Sequence, residues 1–169
     1  MKKILSVLLC ALIFICGCSK NPDVNKKNDD VKASELLTYE DVVPYLEHPP
    51  VLVEENSRRA SIATYKSESV GKEYPVIIKL IQENQLISKE MIKGEFDKQK
   101  ELRNLSFDVD SLGVECYVSY PSINYYIDGY HVQITAGSGS DNTQKILLMN
   151  LAKISLNNLN ELTGIVSDL

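Results

Sequence analysis

Four cysteines, two histidines and a scatter of carboxylates hold most of the chemistry this chain can offer, and their spacing excludes more than it permits. The thiols are Cys10, Cys16, Cys18 and Cys116; the imidazoles are His48 and His131. Neither histidine has a second His or a Cys at ligand spacing, so no zinc site is expected. No G-x-S-x-G or S-x-x-K segment supplies a serine nucleophile, so hydrolysis lacks its parts. The segment DVDSLG at 108–113 opens like a calcium loop. Leu112 then stands where a third oxygen ligand belongs, and Ser119 where a bidentate glutamate is needed. The segment AGSGSD at 136–141 occurs once and lacks the lysine of a phosphate loop, which makes it a strand-to-helix connection rather than an ion or phosphate cradle. A dispersed set of Asp108, Asp110 and Glu115 is all that is left for an enzymatic reading. No residue is assigned as catalytic or metal-binding, and no cofactor is expected.

The thiols sort by context. Lys2 and Lys3 precede an almost unbroken apolar run from Ile4 to Ile15. That run has signal-peptide length and is too short for a membrane span, which takes about 20 apolar residues. Ile15-Cys16-Gly17-Cys18 follows, and it resembles the bacterial lipobox, with Cys16 where Ala or Ser is commoner. The resemblance implies that cleavage after Gly17 leaves Cys18 as the first residue, its thiol carrying a diacylglyceryl group. Acyl chains of the palmitate kind on Cys18 would then hold the protein to the cell membrane, with the domain on the extracytoplasmic side. At about 0.8 kcal/mol per buried CH₂, two or three chains anchor stably where one would not. Cys10 and Cys16 leave with the signal and Cys18 is acylated, so Cys116 is left with no partner for a disulfide. It is expected to lie buried in a strand as a small hydrophobe.

Taking Lys2 and Lys3 from the 18 basic residues leaves 16 against 23 acidic ones, a net charge of −7 for residues 18–169. That balance argues against nucleic acid as a partner and keeps the domain off anionic headgroups. Three segments follow: a lipoprotein signal peptide at 1–17, the lipidated cysteine with a polar linker at 18–34, and a single α+β domain at 35–169. The linker, dominated by Asn, Lys and Asp from Ser19 to about Ala33, has no apolar period and a coil reach of roughly 20 Å.

The elements that position the remaining residues are legible from periodicity. LTYEDVVPYLEH predicts a short helix with Thr38 as N-cap, ended by His48-Pro49-Pro50. Strands are predicted over Val51–Glu54, Arg59–Tyr65 and Tyr74–Ile81. SKEMIKGEFDKQKEL reads as a helix capped by Ser88, with an apolar stripe of Met91, Ile92 and Phe96 and a weak point at Gly94. Asp128-Gly129 is a two-residue turn that sets Ile127 opposite Tyr130, Tyr126 opposite His131, Tyr125 opposite Val132 and Ile123 opposite Ile134. A second turn at Pro121-Ser122 pairs Val118 with Tyr125 and Cys116 with Ile127. The last helix buries Leu148, Leu151, Ala152, Ser155, Leu159 and Leu162, with Asp141 and Gln144 arranged as a capping box. The order is α-β-β-β-α-β-β-β-α, an antiparallel sheet of about six strands packed with helices.

This register gathers Tyr117, Tyr126 and His131, flanked by Asn124 and Gln133, on the sheet face opposite the apolar one. Such a face suits a protein, a glycan or a cell-wall fragment, because Tyr offers large area with a polar tip. Tyrosines also pair well across strands, and a helix laid over them would bury them. LTYEDVVPYL, ATYKS, and FDVDSLGVECYVSYPSINYYIDGYHVQITAG with the helix that follows resemble a diffuse group of small uncharacterised bacterial lipoproteins. The resemblance implies a PsbP-like α/β/α sandwich and lends no activity. The chain therefore reads as a non-catalytic binding or interaction domain, anchored to the membrane and contacting an envelope protein or cell-wall component. The alternatives are a small-molecule or ion-binding accessory of a transporter, with an apolar pocket between sheet and helix, or an enzyme built on the dispersed carboxylates.

Overall fold

The computed structural model of the protein describes residues 30–67, 74–102, 107–108 and 110–165. Two short helices come first, α1 (Ala33–Leu36) and α2 (Tyr39–Val42), followed by a single 3₁₀ turn at Val43–Tyr45. Then come β1 (Pro50–Asn56), β2 (Ser61–Ser67), β3 (Val76–Gln82) and α3 (Lys89–Leu102). The chain finishes with β4 (Phe107–Asp108), a 3₁₀ turn at Asp110–Leu112, β5 (Glu115–Ser119), β6 (Ser122–Ile127), β7 (Tyr130–Thr135) and α4 (Asn142–Thr163). The strands form one antiparallel sheet in the order β1-β2-β3-β7-β6-β5-β4. It has seven strands rather than about six, because the two-residue β4 adds an edge beside β5.

The inner face of the sheet carries Tyr65, Ile78, Leu80, Val118, Ile123, Tyr125, Val132 and Ile134, all buried. Against it lie α1, α2 and α4, the last through Leu148, Leu151, Ala152, Leu156 and Leu159. Each such leucine contributes about 1.5–3 kcal/mol by leaving water. Leu162, expected in that stripe, is 45% exposed, two residues before Gly164 ends the helix at φ +72°. Asp141 caps the start of α4 by accepting from the Gln144 N–H at 2.9 Å. The reciprocal half of the expected box is missing, because the Gln144 side chain turns instead to donate to the Ala136 carbonyl. Two polar contacts tie the layers together inside the core. The Tyr125 and Ser155 hydroxyls lie 2.6 Å apart between β6 and α4, and the Tyr65 hydroxyl donates to the Leu37 carbonyl.

The Asp128-Gly129 register holds pair for pair. The second hairpin differs by two residues: Tyr120 and Pro121 make the turn, Val118 faces Ile123, and Cys116 faces Tyr125. A two-residue slip keeps every side chain on its face, which is why Cys116 is still buried in the core. Packed structure also starts earlier than Glu35. Val31 and Ala33, read as linker, are buried, and Gln82 grips Val31 with its amide, accepting from its N–H at 3.2 Å and donating to its carbonyl at 3.0 Å. Two isolated apolar residues give no periodic signal, so composition hid them. Helices cover both faces of the sheet, because α3 crosses the outer one.

Candidate functional site

The tyrosine face is the underside of α3. Tyr117 and Asn124 are fully buried, His131 is 3% exposed, and Tyr126 and Gln133 are half-buried. The Phe96 ring fills the space above them, its centroid 5.2 Å from that of Tyr117, 5.9 Å from Tyr126 and 5.3 Å, edge-on, from His131. Lys93 extends the layer outward, its ammonium 5.7 Å from the Tyr126 ring centre and bonded to Asp97 at 2.6 Å and Glu115 at 3.0 Å. Of the expected α3 stripe only Ile92 and Phe96 are buried, and Met91 is 60% exposed. The face expected to bind a partner is therefore an interior layer, and an aromatic helix residue is its occupant.

Burial governs the chemistry of His131. Its Nε2 lies 3.4 Å from Asn124 Oδ1, and no acceptor among the described residues meets Nδ1. Loss of water, and secondarily the charge of Lys79, push its pKa down to about 4, with Glu95 opposing weakly. The imidazole is thus neutral at physiological pH, an element of packing more than a proton carrier. His48 is exposed, after the 3₁₀ turn that follows α2. The side chains of Asp108 and Asp110 lie outside the described residues, as do Gly17 and Cys18. Glu115 is held by Lys93.

The open concavity is elsewhere, at the end of the sheet where residue 30 enters. A groove of about 1010 Å³ runs across the ends of β1, β2 and β3. One wall is the turn joining β1 to β2, where Arg58 and Arg59 are exposed. Ser57 builds that turn: its hydroxyl oxygen accepts from the N–H of Arg59 at 3.3 Å and of Ala60 at 3.1 Å, while its own N–H donates to the Ala60 carbonyl at 2.9 Å. This local hydroxyl-to-backbone chemistry is what turns the chain at a site read from sequence as the start of a strand. The second wall is the turn from Asn84 to Ile87. There the Asn84 side chain accepts from the Leu86 N–H at 2.8 Å and donates to the Arg58 carbonyl at 3.1 Å. The two turns are thereby locked to each other through the Arg58 backbone. Among the described residues neither guanidinium joins an ion pair.

Sequence reasoning passed over this site, yet it left a signal. The chain has only three arginines, at 58, 59 and 103, among its 18 basic residues. Two of the three sit side by side in one serine-led turn. Where lysine is the default cation, paired arginine offers a planar donor fork that lysine cannot.

Fold and groove together define a seven-stranded antiparallel sheet sandwiched by helices, with a polar, arginine-walled cleft at the strand ends. No family model, curated protein or solved structure matches the chain.

Proposed function

We propose that this is a lipid-anchored envelope protein, held to the extracytoplasmic side of the cell membrane through Cys18, whose PsbP-like domain binds another envelope component without catalysing a reaction. The observation that supports this best is the position of the groove. Its walls include Asp30 and Lys32, the segment by which the chain arrives from Cys18. A tether of that composition reaches roughly 20 Å, so the arginine turn would work close to the membrane surface rather than at the domain's distal end. Among the described residues no helix is long and apolar enough to cross a membrane. The groove lies at the strand ends and is lined mainly by polar and charged residues. That favours recognition of a headgroup, a sugar phosphate or a charged protein segment over an apolar carrier cavity between sheet and helix.

Two measurements test the proposal. Labelled fatty acid should enter the wild-type protein and not a Cys18→Ser variant; incorporation into the variant overturns the anchor. Crosslinking in intact cells, read by mass spectrometry, should enrich a partner that is lost when Arg58 and Arg59 are both changed to Ala. Equal recovery from that variant, or none above an unrelated lipoprotein, overturns the groove as an interaction surface.

A further inference from the structure

The groove is polar in a directional sense, and that direction names a ligand class. Its cations stand at one end: Arg58 and Arg59 on the turn between β1 and β2, with Lys32 on the entry segment. Its carboxylates, Asp30 and Glu83, stand toward the other, where the groove adjoins a cleft of about 160 Å³ that they also line. The sheet order fixes this layout. Glu83 follows β3, and β7, next in the sheet, begins after the Asp128-Gly129 turn. Lys89, the cation that lines this second cleft, is paired with Asp128 at 2.7 Å, so Asp30 and Glu83 leave the cleft with a negative excess. The backbone of the arginine turn and that of Glu83 therefore lie one to two strand spacings of about 4.8 Å apart across the strand ends.

A simple anion would gain from three cations and be repelled by two carboxylates. A zwitterion gains at both ends. The paired arginines suit a phosphate in particular, because the guanidinium fork meets phosphate oxygens with two parallel hydrogen bonds. We propose that the groove binds a zwitterionic phosphate ester, its phosphate on Arg58 and Arg59 and its ammonium on Glu83 and Asp30. This rests on the reading of the domain as a binding module and gives that module its ligand chemistry. The same chemistry is offered by a membrane lipid headgroup and by a soluble amino-alcohol phosphate.

The test uses the acylated full chain in detergent, titrated calorimetrically with O-phosphoethanolamine and, separately, with inorganic phosphate. Phosphoethanolamine is expected to bind at least tenfold more tightly than phosphate. Arg58→Lys with Arg59→Lys, which keeps the charge and removes the fork, should weaken it at least tenfold, and Glu83→Gln should bring it down toward the phosphate value. Equal affinity for the two probes, no binding of either, or indifference to the lysine pair overturns the proposal. All three positions are on the rim of the fold, and unchanged thermal melts show that the variants are folded. Reconstitution into vesicles then separates the sources. If the soluble probe binds more weakly in phosphatidylethanolamine-containing vesicles than in detergent, the headgroup competes and is the ligand; if its affinity is the same in vesicles and in detergent, the ligand is a soluble ester. A crosslinked partner that depends on the arginines, together with no zwitterion binding, would remove this proposal and leave the interaction module standing.

Discussion

The layer beneath α3 and the groove at the strand ends are both rich in polar, ligand-like side chains, and they have opposite physical characters. Under α3 a tyrosine, a histidine and an asparagine are shut away from water beneath Phe96. At the groove two arginines stand in solvent on a turn whose backbone is already hydrogen-bonded. Residue type does not distinguish the two, since Tyr and Arg are both favoured in binding sites. What distinguishes them is whether the fold has supplied a partner. Tyrosines on neighbouring strands present a broad flat surface, which a short amphipathic helix covers at little cost. A guanidinium at a turn has nothing above it, and its charge opposes burial.

If the α3 layer is structural, breaking it should cost stability in proportion to what it buries. Phe96→Ala removes a fully buried ring that touches three aromatic neighbours and is expected to lose about 3–5 kcal/mol in urea denaturation. A loss below about 1 kcal/mol would mean that the layer opens readily, and would return the tyrosine face to the list of binding surfaces.

Acid probes the same layer without mutation. His131 has a folded-state pKa of about 4 against 6.5 when unfolded, so the unfolded chain takes up its proton first. Its contribution is complete above pH 6.5 and is lost as the pH falls toward 4, on the order of 3 kcal/mol in all. Carboxylates titrate over part of that range, so the informative quantity is the difference between wild type and His131→Gln. That difference should shrink steadily from pH 7 to pH 4. A difference that stays flat would show that the imidazole is solvated, and the contrast between the two regions would weaken.

These expectations depend on tertiary facts that the sequence carried unevenly. Asp128-Gly129 fixed one hairpin completely, because a two-residue turn with both residues tolerant of positive φ admits a single register. Pro121 marked a turn but not its partner: read with Ser122, it makes the turn with Tyr120 in the folded chain. The sidedness of Tyr117, Tyr126 and His131 was readable from period 2. The covering of that side was not, because it depends on where α3 lands, and α3 advertises only Ile92 and Phe96 as buried residues. The groove was harder still. It is made by two turns from separate parts of the chain, joined through the Asn84 side chain, and no local pattern in either turn announces the other.

The weakness of α3 allows a smaller test in the opposite direction. Gly94 sits in the middle of the helix, exposed, and a Cβ built there meets nothing within 4 Å. Gly94→Ala should therefore stabilise the protein by about 0.5–1 kcal/mol, through helix propensity and a less flexible unfolded chain. If it destabilises, α3 needs flexibility or an unseen neighbour at that point, and the layer beneath it is less closed than its burial indicates.

The smallest expected effect on stability carries the comparison furthest. Arg58→Ala with Arg59→Ala removes two exposed side chains that pair with no described carboxylate. The bonds that shape the turn run through backbone N–H groups and the Ser57 hydroxyl, all of which remain. The unfolding free energy from urea denaturation should change by no more than about 0.5 kcal/mol. Binding at the groove, by contrast, should fall sharply, because the phosphate-facing fork is gone. Phe96→Ala should show the reverse: a large loss of stability, and unchanged groove binding in any condition where it is still folded. Two variants that separate stability from binding in opposite senses would establish the division between the regions. If the arginine pair instead costs several kcal/mol, the turn is part of the folding core, and its exposure has been given the wrong meaning.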